Sequence, residues 1–301
     1  MTSRADQREG QVFDLGYRHY DGPREGRSRA RSAVYADGVR AAMGIGRGGR
    51  AKILPWVFIF AAIMPALVMA LIAGTVDRLG GGGADLPSHS DYYSIASIIL
   101  FLFAAAAAPE LLCPDRRNRV ITLYLVRPLT GTDYIFARWL AFLTVMLLVA
   151  WLPQIVLLAG LVFGATQPAD YLADNWQDIP KFLVAGAAIA IYTTSIAMAV
   201  ASFTTRRAYA AAFLIGLFVI STPLTAGLSE SIDGALGEWI ALLNLTNVPL
   251  HINDWLFGTV SGPMEGSRVL DLPRAVRVGS FFVATAAATF VMWNRYRKLS
   301  A

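Results

Sequence analysis

Charge is what this 301-residue chain has least of. Only 16% of its residues are charged while 55% are hydrophobic, against roughly 25% charged in an ordinary soluble domain. That much apolar surface exceeds what one globular core of this length can hide, so lipid is the expected solvent. Cysteine occurs once, at Cys113, which excludes an internal disulfide framework and a cysteine-built zinc cluster. Catalytic signatures are missing as well: there is no HExxH, no GxSxG and no GxxxxGK[ST] phosphate loop. The histidines His19, His89 and His251 read as lying outside the apolar runs, and Ser202, Thr193, Thr194 and Ser195 have no basic partner in the pattern. Small hydroxyls within such runs read as helix packing or back-bonding.

The first 53 residues also lack the secretory pattern of a short basic stretch followed at once by an apolar core. They are polar and Arg-rich, and position 2 is Thr rather than the Gly of a myristoylation signal. The glycines of 44–50 lack the strand–turn–helix setting of a dinucleotide fingerprint and read as a flexible corner. A net charge of +5 would suggest nucleic acid in a soluble protein. Here the placement of the charge points to a membrane face instead, and no nucleic acid partner is expected.

What is present is a series of apolar runs near 20 residues, long enough to cross the hydrocarbon as helices. Six stand out, at about 54–76, 92–112, 139–163, 182–203, 208–228 and 276–293. They divide the chain into an N-terminal segment (1–53), a six-span domain (54–293) and a basic tail (294–301). The N-terminal segment holds 11 Lys and Arg residues, the connector after the second run 5 (with Arg138), the connector after the fourth 2 and the tail 3. The connectors on the other side hold 1, 1 and 3. Positive charge marks the cytoplasmic side, so both termini are expected there, in a multi-pass protein of an inner or plasma membrane. The opposite side carries Asp77, Asp85, Asp91, Asp170, Asp174 and Asp178. No self-similarity at 20–50 residues suggests a solenoid.

Three polar regions are too long for passive connectors. Residues 27–43 can form a helix with Ala30, Val34, Ala41 and Ala42 among arginines, either an interfacial helix leading into the first span or a basic tail held near anionic lipid. Residues 113–138 come next. Pro114 and Asp115 can start a helix, with Asp115 as N-cap, and Arg127–Pro128 should end it. This short helix would be cationic at Arg116, Arg117 and Arg119 and apolar at Val120, Ile121, Leu123, Tyr124 and Leu125. It reads equally well as a plug for a partner's groove or as a helix lying on the inner leaflet. Glu110, the exceptional charge within a span, is placed to pair with Arg116 or Arg117. The third region, 229–275, carries two apolar stretches, ALGEWIALLNL and INDWLFG, broken by Pro249, Gly258 and Gly262. It reads as a helical cap on the extracytoplasmic side.

The stretch 109–140, PELLCPDRRNRVITLYLVRPLTGTDYIFARWL, together with YRHYDGPR at 17–24 and the six-span layout, resembles the integral-membrane permease subunits of ABC type-2 exporters. The resemblance covers nearly the whole chain, with Arg138 standing where many relatives carry Lys. It implies an all-α polytopic fold with a cytoplasmic coupling helix between spans two and three. Glu110, Asp115, Arg116, Arg117, Asn118, Arg119, Leu123, Tyr124 and Arg127 would then face a separate ATP-hydrolysing subunit. It also implies two such nucleotide-binding subunits and a second permease subunit, identical or different. This chain would hold no cofactor of its own, and ATP and Mg2+ would belong to the partner. The nearly uncharged spans suit a hydrophobic or amphipathic cargo. A non-transporting membrane anchor predicts the same partner binding without export. A membrane-embedded enzyme would need catalytic groups that the pattern does not supply.

Overall fold

The computed structural model describes residues 26–46, 48–79, 88–125 and 129–298. Among them the regular structure is helical. In chain order the helices are α1 (Gly26–Ala42), α2 (Gly49–Arg78), α3 (His89–Arg117), α4 (Val120–Leu125), α5 (Gly131–Gly164), α6 (Pro168–Asn175), α7 (Asp178–Ala201), α8 (Arg207–Ser231), α9 (Ala235–Leu242), α10 (Leu250–Phe257) and α11 (Arg274–Arg297). Two 3-10 turns, Gly262–Met264 and Arg268–Asp271, lie between α10 and α11. Six of these helices, α2, α3, α5, α7, α8 and α11, are long and apolar enough to cross a membrane.

Helix is the structure that satisfies every backbone polar group within one segment in lipid, and it survives internal proline there because neighbours re-satisfy the freed groups. Pro65, Pro109, Pro153 and Pro223 accordingly sit inside α2, α3, α5 and α8. Two starts are locally encoded by capping boxes. Ser88 Oγ accepts from Asp91 N, and the Asp91 carboxylate accepts from Ser88 N at 2.8 Å. Thr130 and Asp133 repeat the arrangement at the start of α5, with Thr130 N donating to Asp133 at 3.0 Å.

The buried centre is α3 and α7, whose facing residues include Tyr93, Ala96, Leu100, Ala104, Phe182, Ala185 and Ile189. Helix α2 lies along α5 through small residues: Ala70 meets Gly160, and Gly74 meets Gly164 so closely that a Cβ on Gly164 would come 3.1 Å from the Gly74 Cα. Small residues let backbones approach where no hydrophobic force drives helices together. The outward faces of α2, α8 and α11 carry exposed apolar side chains such as Phe60, Leu71, Phe213, Ile220, Leu224, Phe282 and Val283.

The ends of the bundle differ. One end gathers α1, the end of α3, α4, the start of α5, the α7–α8 turn and the end of α11. The other gathers the start of α3, the α5–α6–α7 turns and the α8–α11 connector, in which α10 packs against α3, α7 and α11, and α9 against α8. The two apolar stretches of that connector form α9 and α10, with Gly258 in the left-handed conformation that ends α10 (φ 71°).

Candidate functional site: the basic end

Helix α3 carries its charge to the end of the bundle in an unbroken run. Pro114 and Asp115 do not start a new helix. α3 continues through Pro109 and Pro114 to Arg117, so Asp115 is not an N-cap. Tertiary contacts override the local proline signal, because both residues after Pro114 are held by neighbouring elements. Asp115 accepts from the Tyr134 hydroxyl and from Arg138 Nη2, each at 2.7 Å. Arg116 Nη1 donates to the Ser202 and Thr204 carbonyls of the α7–α8 turn. The turn falls instead at Asn118 and Arg119, where Asn118 N donates to Pro114 O at 2.8 Å. Arg119 adopts φ 56°, a conformation that costs a residue with a side chain about 1–2 kcal/mol. Helix α4 then spans six residues, about half the length expected.

Glu110 pairs with neither Arg116 nor Arg117. Its two carboxylate oxygens accept from Arg207 Nη1 at 2.9 and 2.7 Å. The difference has a simple cause: Arg116 turns toward the carbonyls of the α7–α8 turn, while the start of α8 brings Arg207 alongside. Arg117, Asn118 and Arg119 are exposed on the outer surface of the turn. Tyr124 is half-buried, its ring centroid 5.6 Å from that of Tyr134, which lies in turn 5.7 Å from that of Tyr296 on α11. For Leu123 only the helical backbone is described, and Arg127 lies outside the described residues, as does the 17–24 motif.

Sequence reasoning missed the group at the centre. Arg138, 2% exposed, places Nη1 2.8 Å from Asp37 on α1 and Nη2 2.7 Å from Asp115 on α3. The Asp37 contact lies off the hydrogen-bond line, so it is an ion pair only. One buried guanidinium thus joins α1, α3 and α5, and its planar fork can address two carboxylates at once. Gly38 makes room for this contact, since a Cβ there would come 2.7 Å from the Ala141 Cβ. A second clamp lies one turn away, where Arg27 and Arg31 of α1 both reach the Asp133 carboxylate at 2.6 Å. The T-x-x-D spacing of Thr130 and Asp133 was a readable signal for this position. Nothing local marks Arg138, whose partners lie far away in sequence. Helix α1 therefore lies on α5 through Val34, Gly38 and Ala42, all buried.

The α7–α8 turn is held from two sides, as Arg295 Nε at the end of α11 also donates to Ser202 O at 2.6 Å. The Cys113 thiol faces Thr204 O at 3.5 Å. The site is thus an array of cations and carboxylates joining α1, α3, α5, α8 and α11 and the α7–α8 turn. Ser202 Oγ donates to its own helix at Ala199 O, and Thr193 Oγ1 to Ile189 O, so neither hydroxyl faces a base. Among the described residues no group of three or more His, Cys, Asp or Glu side chains could hold a metal.

The opposite end is joined mostly by hydrogen bonds outside ion pairs, although Arg268 donates to the Ser229 and Ile232 carbonyls and Lys181 pairs with Asp178. Asn253 Nδ2 donates to Ser90 Oγ at 2.8 Å, Ser261 N to Asp254 Oδ1 at 3.0 Å, and Tyr192 to Leu245 O at 2.9 Å. His251 is buried in α10, where burial and the nearby Arg277 push its imidazole down to about 4. Burial raises the Asp254 carboxyl above its ordinary value, despite the Ser261 and Asn253 donors. His89 does not lie outside the long helices as the sequence suggested: it opens α3, is 4% exposed and bonds to Gln154 of α5.

No curated protein sequence matches the chain. The family described as ABC-2 family transporter protein matches residues 16–244, from the segment before α1 to just beyond α9. Six long apolar helices and a family match over most of the length agree, and the chain is a membrane-spanning member of the ABC-2 transporter family.

Proposed function

We propose that the protein is the permease subunit of an ATP-driven exporter and that its basic end is cytoplasmic and docks the subunit that hydrolyses ATP. The observation that carries this reading is the convergence of α1, the α3–α4 turn, the α7–α8 turn and the end of α11 on one ion-paired surface. The exposed Arg117, Asn118 and Arg119, with the half-buried Tyr124, form its outermost part. An Arg-rich turn beside an apolar helix suits a groove lined by carboxylates and apolar side chains.

In this reading the partner's closure pushes on α4 and the α3–α4 turn. Asp115 passes the displacement to α5 through Arg138 and Tyr134, and Arg116 passes it to the α7–α8 turn. Two ATP-hydrolysing subunits with their Mg2+ would serve a pair of permease subunits, identical or different, since closed two-fold assemblies are the usual solution. The α8–α11 connector would be an extracytoplasmic cap and α1 a cytoplasmic helix at the membrane surface. The apolar faces of the long helices favour a hydrophobic or amphipathic cargo.

The test is reconstitution of the complex with Arg117→Glu and Arg119→Glu introduced together. Export and cargo-stimulated ATP hydrolysis should fall at least tenfold while the permease remains folded. Unchanged export would refute the docking surface. Normal complex formation with no export by the unmodified protein would support an anchor instead.

A further inference from the structure

A cavity of about 260 Å3 with both apolar and polar walls opens at the end of the bundle opposite the basic surface, lined in part by Gly74, His89, Gly164, Tyr171, Asn175 and Asp178. Its polar groups are oriented by neighbours, and the orientation can be worked out atom by atom. The Gln154 amide donates through Nε2 to the backbone carbonyl of His89 at 3.0 Å. Its Oε1 is therefore the atom that meets His89 Nδ1 at 2.5 Å. An amide oxygen only accepts, so Nδ1 carries the proton, and in the neutral ring Nε2 is left as an acceptor. Stacking on Phe182, with centroids 4.9 Å apart, fixes the ring plane.

Asn175 is oriented in the same sense. Its Nδ2 donates to Tyr171 O at 2.9 Å, which leaves its Oδ1 as the unused atom. Asp178 accepts from Lys181 through Oδ1 at 2.9 Å, and its second oxygen has no partner among the described residues. Lys181 itself lies over the Phe257 ring and does not line the cavity. The donors at the start of α3 are consumed by its own capping box, in which Asp91 takes Ser88 N and Oγ. The cavity is thus lined by three acceptors, His89 Nε2, Asn175 Oδ1 and the second Asp178 oxygen. The Tyr171 hydroxyl, which can donate or accept, lines it as well, and the carboxylate charge is shared with Lys181.

We propose that this cavity binds a protonated primary amine. An ammonium group has three N–H donors and one positive charge, and His89 Nε2, Asn175 Oδ1 and the second Asp178 oxygen supply three acceptors, the last on a carboxylate whose charge is shared with Lys181. A quaternary ammonium has the charge without the donors and is excluded by the same chemistry. The amine can come from the headgroup of an aminophospholipid in the adjacent leaflet or from a small free molecule. The site does not depend on the proposed coupling to ATP hydrolysis.

The experiment compares the thermal unfolding midpoint of the purified full chain in detergent with ethanolamine, choline or sodium chloride at equal ionic strength. A parallel arm measures by native mass spectrometry whether phosphatidylethanolamine is retained over phosphatidylcholine. Ethanolamine should raise the midpoint and choline should not. Lipid retention together with that shift assigns the headgroup as the source, and the shift alone assigns a free amine. His89→Phe keeps the ring stack and removes the acceptor, and Asp178→Asn removes the charge. Each should abolish the difference between ethanolamine and choline, and Asp178→Asn decides if His89→Phe fails to fold. Equal effects of the two amines with no lipid preference would overturn the site, as would variants that keep the full difference.

Discussion

The two ends of this bundle solve the same problem, tying several helices together at a membrane surface, with a different balance of chemistry. The basic end uses charge: Arg138 between Asp37 and Asp115, Arg27 and Arg31 on Asp133, and Arg207 on Glu110. The opposite end relies more on hydrogen bonds, with Asn253 donating to Ser90, Ser261 to Asp254 and Arg268 to two carbonyls, and it holds a histidine that burial keeps uncharged. Exposed ion pairs such as Arg207 with Glu110 are individually weak, screened by salt and replaceable by a partner's charges, whereas the buried Arg138 pair is not. Buried neutral hydrogen bonds are costly to leave unmade and define one geometry. The exposed pairs of the basic end are therefore its most easily rearranged contacts, while the buried contacts of both ends hold one geometry.

Removing Arg138 should have the largest effect. Arg138→Ala leaves Asp115 without its cation and opens a gap under α1. Loss of one partner of a buried pair costs about 3–5 kcal/mol, and because Asp37 is well exposed the expectation is about 3 kcal/mol, read from denaturant unfolding of the purified chain. Arg138→Met with Asp115→Leu should recover much of it.

The second effect belongs to the opposite end and to pH. An imidazole held near 4 when folded and 6.5 when unfolded binds fewer protons in the folded state. Its neutral form therefore supports the fold fully above pH 6.5, and that support is lost as pH falls from 6.5 toward 4, by up to about 3 kcal/mol. The raised Asp254 carboxyl acts in the opposite sense. The difference between the wild type and His251→Gln isolates the histidine, and the variant should show a flatter stability profile across that window.

A third, smaller change should separate α1 from the bundle. Gly38→Val forces a side chain toward Ala141 and should cost about 1–3 kcal/mol, with faster trypsin cleavage at Arg29 and Arg31. Smallest of all, Glu110→Gln should change stability by less than about 1 kcal/mol, since both partners are substantially exposed. A larger loss there would break the distinction between the ends.

What could be read in advance follows from how far each signal reaches along the chain. The six long helices were legible because a membrane demands about 20 apolar residues in a row, and α9 and α10 because Pro249 and Gly258 punctuate them. The capping boxes at Ser88 and Thr130 were present as four-residue patterns. The pairings of the basic end were not legible, because Asp37 with Arg138 and Glu110 with Arg207 join residues about a hundred positions apart. Pro114 pointed to a break that the grip on Asp115 and Arg116 prevents. The acceptor set around His89 was hidden for the same reason, since Gln154, which fixes its tautomer, is 65 residues away.

The most direct test is a crosslink from the outermost residue of the basic turn. In a Cys113→Ser background, Arg117→Cys should form a crosslink with a copurified nucleotide-hydrolysing subunit and resist membrane-impermeant maleimide added outside intact cells. Labelling from outside, or a purified functional complex in which position 117 meets no such subunit, would contradict the account.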